Sequence, residues 1–360
     1  MTEYLEKIKR RLEFAHFLQG PSGVYGVVDG QYGSTGKGLA VAVLAETLLS
    51  QIDWVTSNAG PNSGHTSYYN GTKIVLKQLP TITVQAKLRG VEIPTLLNAG
   101  AVIDADVLLE EVTKWGIQRE DIHVHSHAAI ISKENTEVDK TTIEKIGSTG
   151  KGIGPSLQRK VSRLSKEAVV RYAPEADKLV TEVQIRTKSP VRRVDRSRIL
   201  VEVSQGYSLG INSGFYPYTT ARECTMAQAM ADAQLPLTEY RDCMMVVRTF
   251  PIRVAGNSGP CYPDQHEISW GGLGQEPELT TVTQKVRRVF TWSDKQFMDA
   301  VAANRPSVIF LNFCNYLDTG AVPDFVKTRV INTYQRVMGI PPRVVLCGFG
   351  PRVEDVRVFE

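Results

Sequence analysis

What this chain of 360 residues lacks removes whole classes of function. It has no Cys-x-x-Cys pair. Its five cysteines, Cys224, Cys243, Cys261, Cys314 and Cys347, are odd in number and scattered. That excludes a disulfide frame or a thiolate zinc site and fits reduced thiols in a cytosol. No apolar run is long enough to span a membrane, and the first residues lack the apolar centre of a secretion signal. A cytoplasmic protein with no membrane partner is the expectation. No long block of one charge sign occurs either. The 42 basic and 38 acidic residues leave a formal charge of only +4, too little for a nucleic-acid partner but compatible with small anionic ligands. There is no repeat, low-complexity tract or linker. With 42% hydrophobic and 22% charged residues the chain reads as globular.

What is present is a pattern of alternating strands and helices. Residues 2–19 mix charge with Leu5, Ile8, Leu12, Phe14 and Phe17, which predicts a leader helix within 1–22 ahead of a single domain of 23–360. Val24 to Asp29 reads as a valine-rich strand, followed by a glycine loop and a helix from Lys37 to about Ser50. The helix places Val41, Leu44, Ala45 and Leu48 on one stripe. Asp53 to Asn58 is the next strand. Strand, glycine loop, helix and strand open a parallel α/β sheet, so the expected fold is α/β with a large, mostly parallel central sheet, flanking helices and long functional loops. Asn70-Gly71 marks a hairpin within Tyr68 to Leu79. His123, His125 and His127 alternate on one face of a strand that should be partly exposed; no further ligand is placed to complete a zinc site.

The loop Gly30-Gln31-Tyr32-Gly33-Ser34-Thr35-Gly36-Lys37-Gly38 carries the chemistry. A glycine-rich turn between strand and helix lets backbone N–H groups close on phosphate oxygens, and the helix N-terminus adds partial positive charge. Lys37 supplies a point charge for a bridging phosphate. The pattern departs from the usual phosphate loop because Gly38, not Ser or Thr, follows the lysine.

Together with Pro61-Asn62-Ser63-Gly64-His65-Thr66, Gly147-Ser148-Thr149-Gly150-Lys151-Gly152-Ile153-Gly154-Pro155, Gln205-Gly206, Gly214 to Thr220, Arg253-Val254-Ala255-Gly256 and Gly350-Pro351, this loop resembles the adenylosuccinate synthetase family. The resemblance keeps the family's order from about Val24 to Pro351. It implies a P-loop NTPase-like fold and a ligase that joins L-aspartate to C6 of a purine nucleotide through a 6-phosphoryl intermediate. It implies Ser34, Lys37 and His65 as catalytic groups, His65 being the acid toward purine O6. The triphosphate would meet Gly33, Ser34, Thr35, Gly36, Lys37, Gly38, Gly64, His65, Thr66, Phe313, Asn315, Gly348 and Gly350. The purine monophosphate would meet Ser34, Asn62, Ser148, Thr149, Gln205 and Thr220, with Arg163 reaching across from the other subunit of a homodimer. Mg²⁺ would be held by Ser34 and the Gly64 carbonyl.

Three departures from the family pattern set the finer expectations. Cellular members carry aspartate at the Ser34 position, where it removes the N1 proton and ligates magnesium. A serine is no base near neutral pH and a weaker ligand. A dead enzyme, an ordinary enzyme with a replacement base, or a different purine would each explain it. The third is preferred, because a shorter side chain beside N1 leaves room for the 2-amino group of guanine. In this the chain resembles the phage-encoded branch that acts on dGMP to start synthesis of the 2-aminoadenine nucleotide. Asp29, a metal-bound water or a carboxylate of the aspartate substrate then become candidates for the base. Second, Asn312-Phe313-Cys314-Asn315-Tyr316-Leu317-Asp318 replaces the run that reads the guanine of GTP. An amide at Asn315 can donate to adenine N1 and accept from N6 while Phe313 stacks, so ATP or dATP is expected. A register that makes Asp318 the reader restores GTP. Third, Val282-Thr283-Gln284-Lys285-Val286-Arg287-Arg288 stands where the aspartate-binding loop runs, with Thr283, Gln284 and Arg288 taken as its contacts and the family's first arginine missing. The segment around Trp270-Gly271-Gly272 reads as a mobile loop.

Overall fold

The computed structural model of the chain describes residues 2–141, 149–187, 194–280 and 284–360. Its spine is one ten-stranded sheet. The strands lie in the order Val356–Val358, Val344–Gly348, Val308–Asn312, Tyr240–Arg248, Gly23–Asp29, Arg198–Glu202, Trp54–Ser57, Thr95–Leu97, Ile122–His125 and Gln184–Arg186. All neighbours are parallel except the edge pair Val344–Gly348 and Val356–Val358. Gly23–Asp29 lies mid-sheet and is buried along its length. Its side chains alternate between two cores, Tyr25 and Val27 into one and Val24 and Val28 into the other, as a strand covered on both faces requires.

The helix after the glycine loop, Lys37–Thr47, differs from its expected single stripe. Every residue from Lys37 to Ala45 is buried. Besides the sheet, the helices Glu3–Phe14 and Thr81–Leu88 and the strand His65–Tyr69 pack around it, which is why Ala and Val occupy positions that a surface helix would give to charge. Glu3–Phe14 is accordingly no detached leader: Leu5, Ile8 and Leu12 enter the same core as Leu39, Val344 and Val356. The hairpin forms as read, with His65–Tyr69 antiparallel to Thr72–Leu76 and Asn70 and Gly71 both at positive φ in its turn, the geometry that Asn-Gly favours.

The histidine strand departs from expectation. His123 and His125 are 5% and 1% exposed because Gln184–Arg186 pairs along it and the Trp54 ring packs 5.6 Å from His123. Among the described residues no three His, Cys, Asp or Glu side chains come together in a way that could hold a metal. Four of the five cysteines are buried and all are free thiols. Among the described residues no helix is long and apolar enough to cross a membrane.

Candidate functional site

The glycine loop leaves the C-terminal end of the central strand, where ligands of open α/β sheets gather. Asp29, 1% exposed, closes that strand and holds the loop. Its Oδ1 accepts from the backbone of Gln31 (2.9 Å) and Gly33 (3.2 Å), and its Oδ2 accepts from Thr35 Oγ1 (2.5 Å) and Lys37 Nζ (3.3 Å). Four donors on one carboxylate make Asp29 a brace, with no lone pair aimed at a substrate proton. Lys37 Nζ also donates to the carbonyl of Gln205, 2.8 Å away, so the loop is tied to the neighbouring strand exit. Gly33, Ser34 and Gly36 all have positive φ, and a side chain at Gly36 would run into Asn312. Gly38 presses on the backbone of Thr66, leaving no space for a Cβ; that contact accounts for glycine after the lysine. Ser34 is exposed, and its carbonyl accepts from Arg248 Nη1 at 3.1 Å.

Beside the loop lies a cavity of about 700 Å³, within the size range of small-molecule sites. Its walls bring together Gly33, Ser34, Lys37, Asn62, Gly64, His65, Thr149, Gln205 and Thr220, segments far apart in sequence. Ser148, expected beside Thr149, lies outside the described residues. Cations crowd the lining: Lys37, Lys77, Arg253, Lys285 and Arg287 against Asp139 among its described residues, a field suited to phosphates and carboxylates. His65 opens its strand with Nδ1 3.9 Å from Glu202 Oε2. Burial, with Lys37 nearby, pushes its pKa down to about 3, so the imidazole is neutral and donates through one N–H. Burial pushes Glu202 up to about 7, against the hydrogen bonds it accepts from Ile82 and Thr81 at a helix start. Ser34 and Gly64, the residues expected to hold magnesium, share this wall, and so few protein ligands fit an ion that takes most of its ligands from phosphates and water.

The segment expected to bind the amino acid is placed differently from its reading. Arg288 does not line the cavity. It is bidentate to Glu267 (3.0 and 2.7 Å) and donates to the Gly259 carbonyl (2.7 Å). Its neighbours Lys285 and Arg287, on the segment leading into the strand Arg288–Phe290, line the cavity instead. Thr283 lies outside the described residues, and Gln284 turns back to the Thr280 carbonyl at 3.2 Å. Trp270, read as part of a mobile loop, is 6% exposed and donates to the Arg287 carbonyl at 2.7 Å, so it pins this segment. Sequence reasoning also missed Arg253, whose guanidinium holds the Pro260 and Tyr218 carbonyls and lies 4.6 Å over the Tyr32 ring. The Arg253-Val254-Ala255-Gly256 turn was its only signal.

Phe313 and Asn315 sit outside the cavity, past the Asn312 end of their strand. Arg248, fully buried, lies 3.7 Å over the Phe313 ring and pairs with Glu278 through Nη2 (2.5 Å), while Tyr316 OH donates to the same carboxylate at 3.0 Å. One face of Phe313 is therefore taken and only the other can receive a base. Asn315 and Asp318 are both exposed. Gly348 packs against the Asn312 side chain, and Gly350 follows it at the next strand exit. Arg163 is exposed at the end of helix Ile153–Ser162, with φ 58. It is not among the residues lining the cavity.

Three comparisons bear on the whole arrangement. Residues 26–169 and 164–334 match the family described as adenylosuccinate synthetase. The N6-succino-2-amino-2'-deoxyadenylate synthase of Salmonella phage PMBT28 is 40% identical, over 92% of this chain and 96% of that protein. That of Vibrio phage phiVC8 is 37% identical, over 93% and 97%. The solved succinoaminodeoxyadenylate synthetase of cyanophage S-2L, bound to dGMP and to dATP as an energy donor, superposes with a TM-score of 0.81. It is 34% identical and the match covers 94% of this chain and 96% of that one. The adenylosuccinate synthetase of Plasmodium falciparum shares the fold at a TM-score of 0.74 and 19% identity.

Proposed function

This chain belongs to the adenylosuccinate synthetase family, and from that premise we propose that it ligates L-aspartate to C6 of dGMP, giving N6-succino-2-amino-2'-deoxyadenylate, a nucleoside diphosphate and phosphate. The observation that carries the choice of purine is Ser34, a short neutral side chain on the cavity wall where the family's cellular members place aspartate. Two phage relatives named for this product, and a solved relative holding dGMP, support it. In the first step O6 attacks the γ-phosphorus and the bond to the bridging oxygen breaks. In the second the aspartate amine forms the bond to C6 as phosphate leaves with O6 and the amine gives up its proton.

The chain's own groups act at defined points. Lys37 and the loop amides hold the transferring phosphoryl. His65 donates its N–H toward O6. Asn62, Thr149, Gln205 and Thr220 receive the nucleotide, and Lys285 and Arg287 offer the cations that the two carboxylates of aspartate need. With Asp29 occupied by the loop, the N1 proton passes to a carboxylate of the aspartate substrate or to water. Ser34 and the Gly64 carbonyl would hold magnesium, which would supply charge neutralisation for the phosphates. ATP or dATP is the donor, its base on the free face of Phe313 beside Asn315; the dATP of the cyanophage relative supports this.

We further infer a homodimer in which Arg163 reaches the partner's nucleotide. Its neighbours Val161 and Leu164 are 73% and 92% exposed, apolar surface that a second copy would cover. The reaction would run in the cytoplasm, where its substrates are. Incubating the enzyme with Mg²⁺, L-aspartate and each of dGMP, GMP and IMP against ATP, dATP and GTP tests all of this by product mass and phosphate release. Efficient use of IMP with none of dGMP would make it an ordinary adenylosuccinate synthetase. Nucleoside diphosphate release that ignores aspartate would make it a nucleotide sensor.

A further inference from the structure

Arg222 lies two residues beyond Thr220 and is 9% exposed. A buried guanidinium has five N–H donors to satisfy, and this one satisfies them unevenly. Its Nη1 donates to the carbonyls of Asn58 and Gly100, the latter at 2.6 Å, while Nε and Nη2 are buried with no partner. The nearby carboxylate of Asp232 is engaged elsewhere, accepting from Asn58 Nδ2 at 3.0 Å and Gln228 Nε2 at 2.7 Å. On the other side of Gly60, Asn62 Oδ1 is also buried without a partner. The point where a Cβ on Gly60 would stand is 2.8 Å from the Ile153 Cδ1 methyl, 3.4 Å from Arg222 Nη2 and 3.5 Å from Asn62 Oδ1. An unsatisfied donor and an unsatisfied acceptor thus flank one spot beside Gly60, closed on its third side by the Ile153 methyl, that a side chain at residue 60 would fill.

We propose that Arg222 is a positioning residue for the monophosphate end of the cavity and acts through the side-chain amide of Asn62. In the nucleotide-bound state the amide turns its Oδ1 to Arg222 Nη2, which satisfies both atoms. The amide is then fixed with Nδ2 toward the cavity, the only orientation that offers an anion a donor. The reverse orientation would set an oxygen against the phosphate. Arg222 also holds the Asn58 carbonyl at the start of the same loop and the Gly100 carbonyl behind it, so both the loop and its amide take their position from one cation. This rests on the reading above in which Asn62 meets the purine monophosphate, and takes its phosphate as the group that Asn62 meets.

The test is a double-mutant cycle on the full-length enzyme, read as dGMP affinity by calorimetry and as KM for each substrate. Arg222→Met should weaken dGMP about tenfold, a change equivalent to about 1.4 kcal/mol, while kcat and the KM values of L-aspartate and the triphosphate hold. In an Asn62→Ala background the same substitution should add less than twofold, because the amide it orients is gone. Additive losses, or an equal rise in all three KM values, overturn the proposal. An Asn62→Ala enzyme with unchanged dGMP affinity overturns it as well, and with it the placement of Asn62 at the phosphate. Arg222→Lys carries the same comparison should methionine prevent folding, since its single nitrogen, placed to hold the two carbonyls as Nη1 does, leaves nothing at the Nη2 position for Asn62.

Discussion

A serine cannot take a proton from purine N1 near neutral pH, yet Ser34 stands in the wall of the cavity and its backbone carbonyl is held by Arg248. The side chain is therefore free to change while the loop keeps its shape. Ser34→Asp should restore a base and remove the space beside C2, lowering the ratio of kcat/KM for dGMP over IMP by about tenfold or more; steady-state rates on the two nucleotides check it. His123 offers a test of stability away from the site. Burial, with Arg186 nearby, pushes its pKa from 6.5 down to about 4. The unfolded chain takes up this proton first as pH falls, so the stability involved is complete above about pH 6.5 and is lost as pH drops through 4. His123→Gln should lower Tm at pH 7 and narrow the gap to the parent by pH 4, read by thermal melts across that range.

At the scale of elements, the glycine loop and its flanking strand and helix were legible because local chemistry determines them: glycine for positive φ, a lysine at the helix start, Asn-Gly in the hairpin. The single-stripe reading of Lys37–Thr47 failed because periodicity reports burial on one side, whereas three further elements cover this helix. Arg288 is the family-pattern contact for aspartate, yet it pairs with Glu267 while Arg287 lines the cavity. Which of two adjacent arginines faces the cavity depends on how Arg288–Phe290 pairs with Ile252–Arg253 and Glu267–Ile268, which sequence alone does not reveal. Asp29, a carboxylate at a strand end, looks like a base in sequence, but its four donors hold it to the loop. The Arg248–Glu278 pair was invisible in sequence, as 30 residues separate its members. Glu278→Gln leaves a fully buried guanidinium without its countercharge, so unfolding free energy should fall by about 3 kcal/mol. The KM of the triphosphate should also rise, since Arg248 backs both Ser34 and Phe313. Denaturant melts and donor titrations read the two effects separately.

For the whole molecule, the order of the loops along the chain revealed the family, but the site they build spans the C-terminal ends of several strands and, in the proposed dimer, two copies. That composite site makes a numerical prediction. Arg163→Ala and His65→Ala should each be inactive alone. Mixed subunits place an intact His65 opposite an intact Arg163 in one of the two sites of each hybrid, so random reassociation should recover about a quarter of the parent activity. Sedimentation of Leu164→Arg, expected to run as a monomer, would check the same interface.

The helix Lys37–Thr47, enclosed on all sides, has a consequence in time rather than in space. Its amides have no local route to solvent, so they can trade hydrogen for deuterium only when the sheet and its covering helices part together. Residues 39–45 should be among the slowest-exchanging in the chain, while residues 271–280 and 284–287 exchange by local fluctuation. The seat of the phosphates would then be as durable as the fold itself, and the walls that admit dGMP and aspartate would open and close around a fixed point.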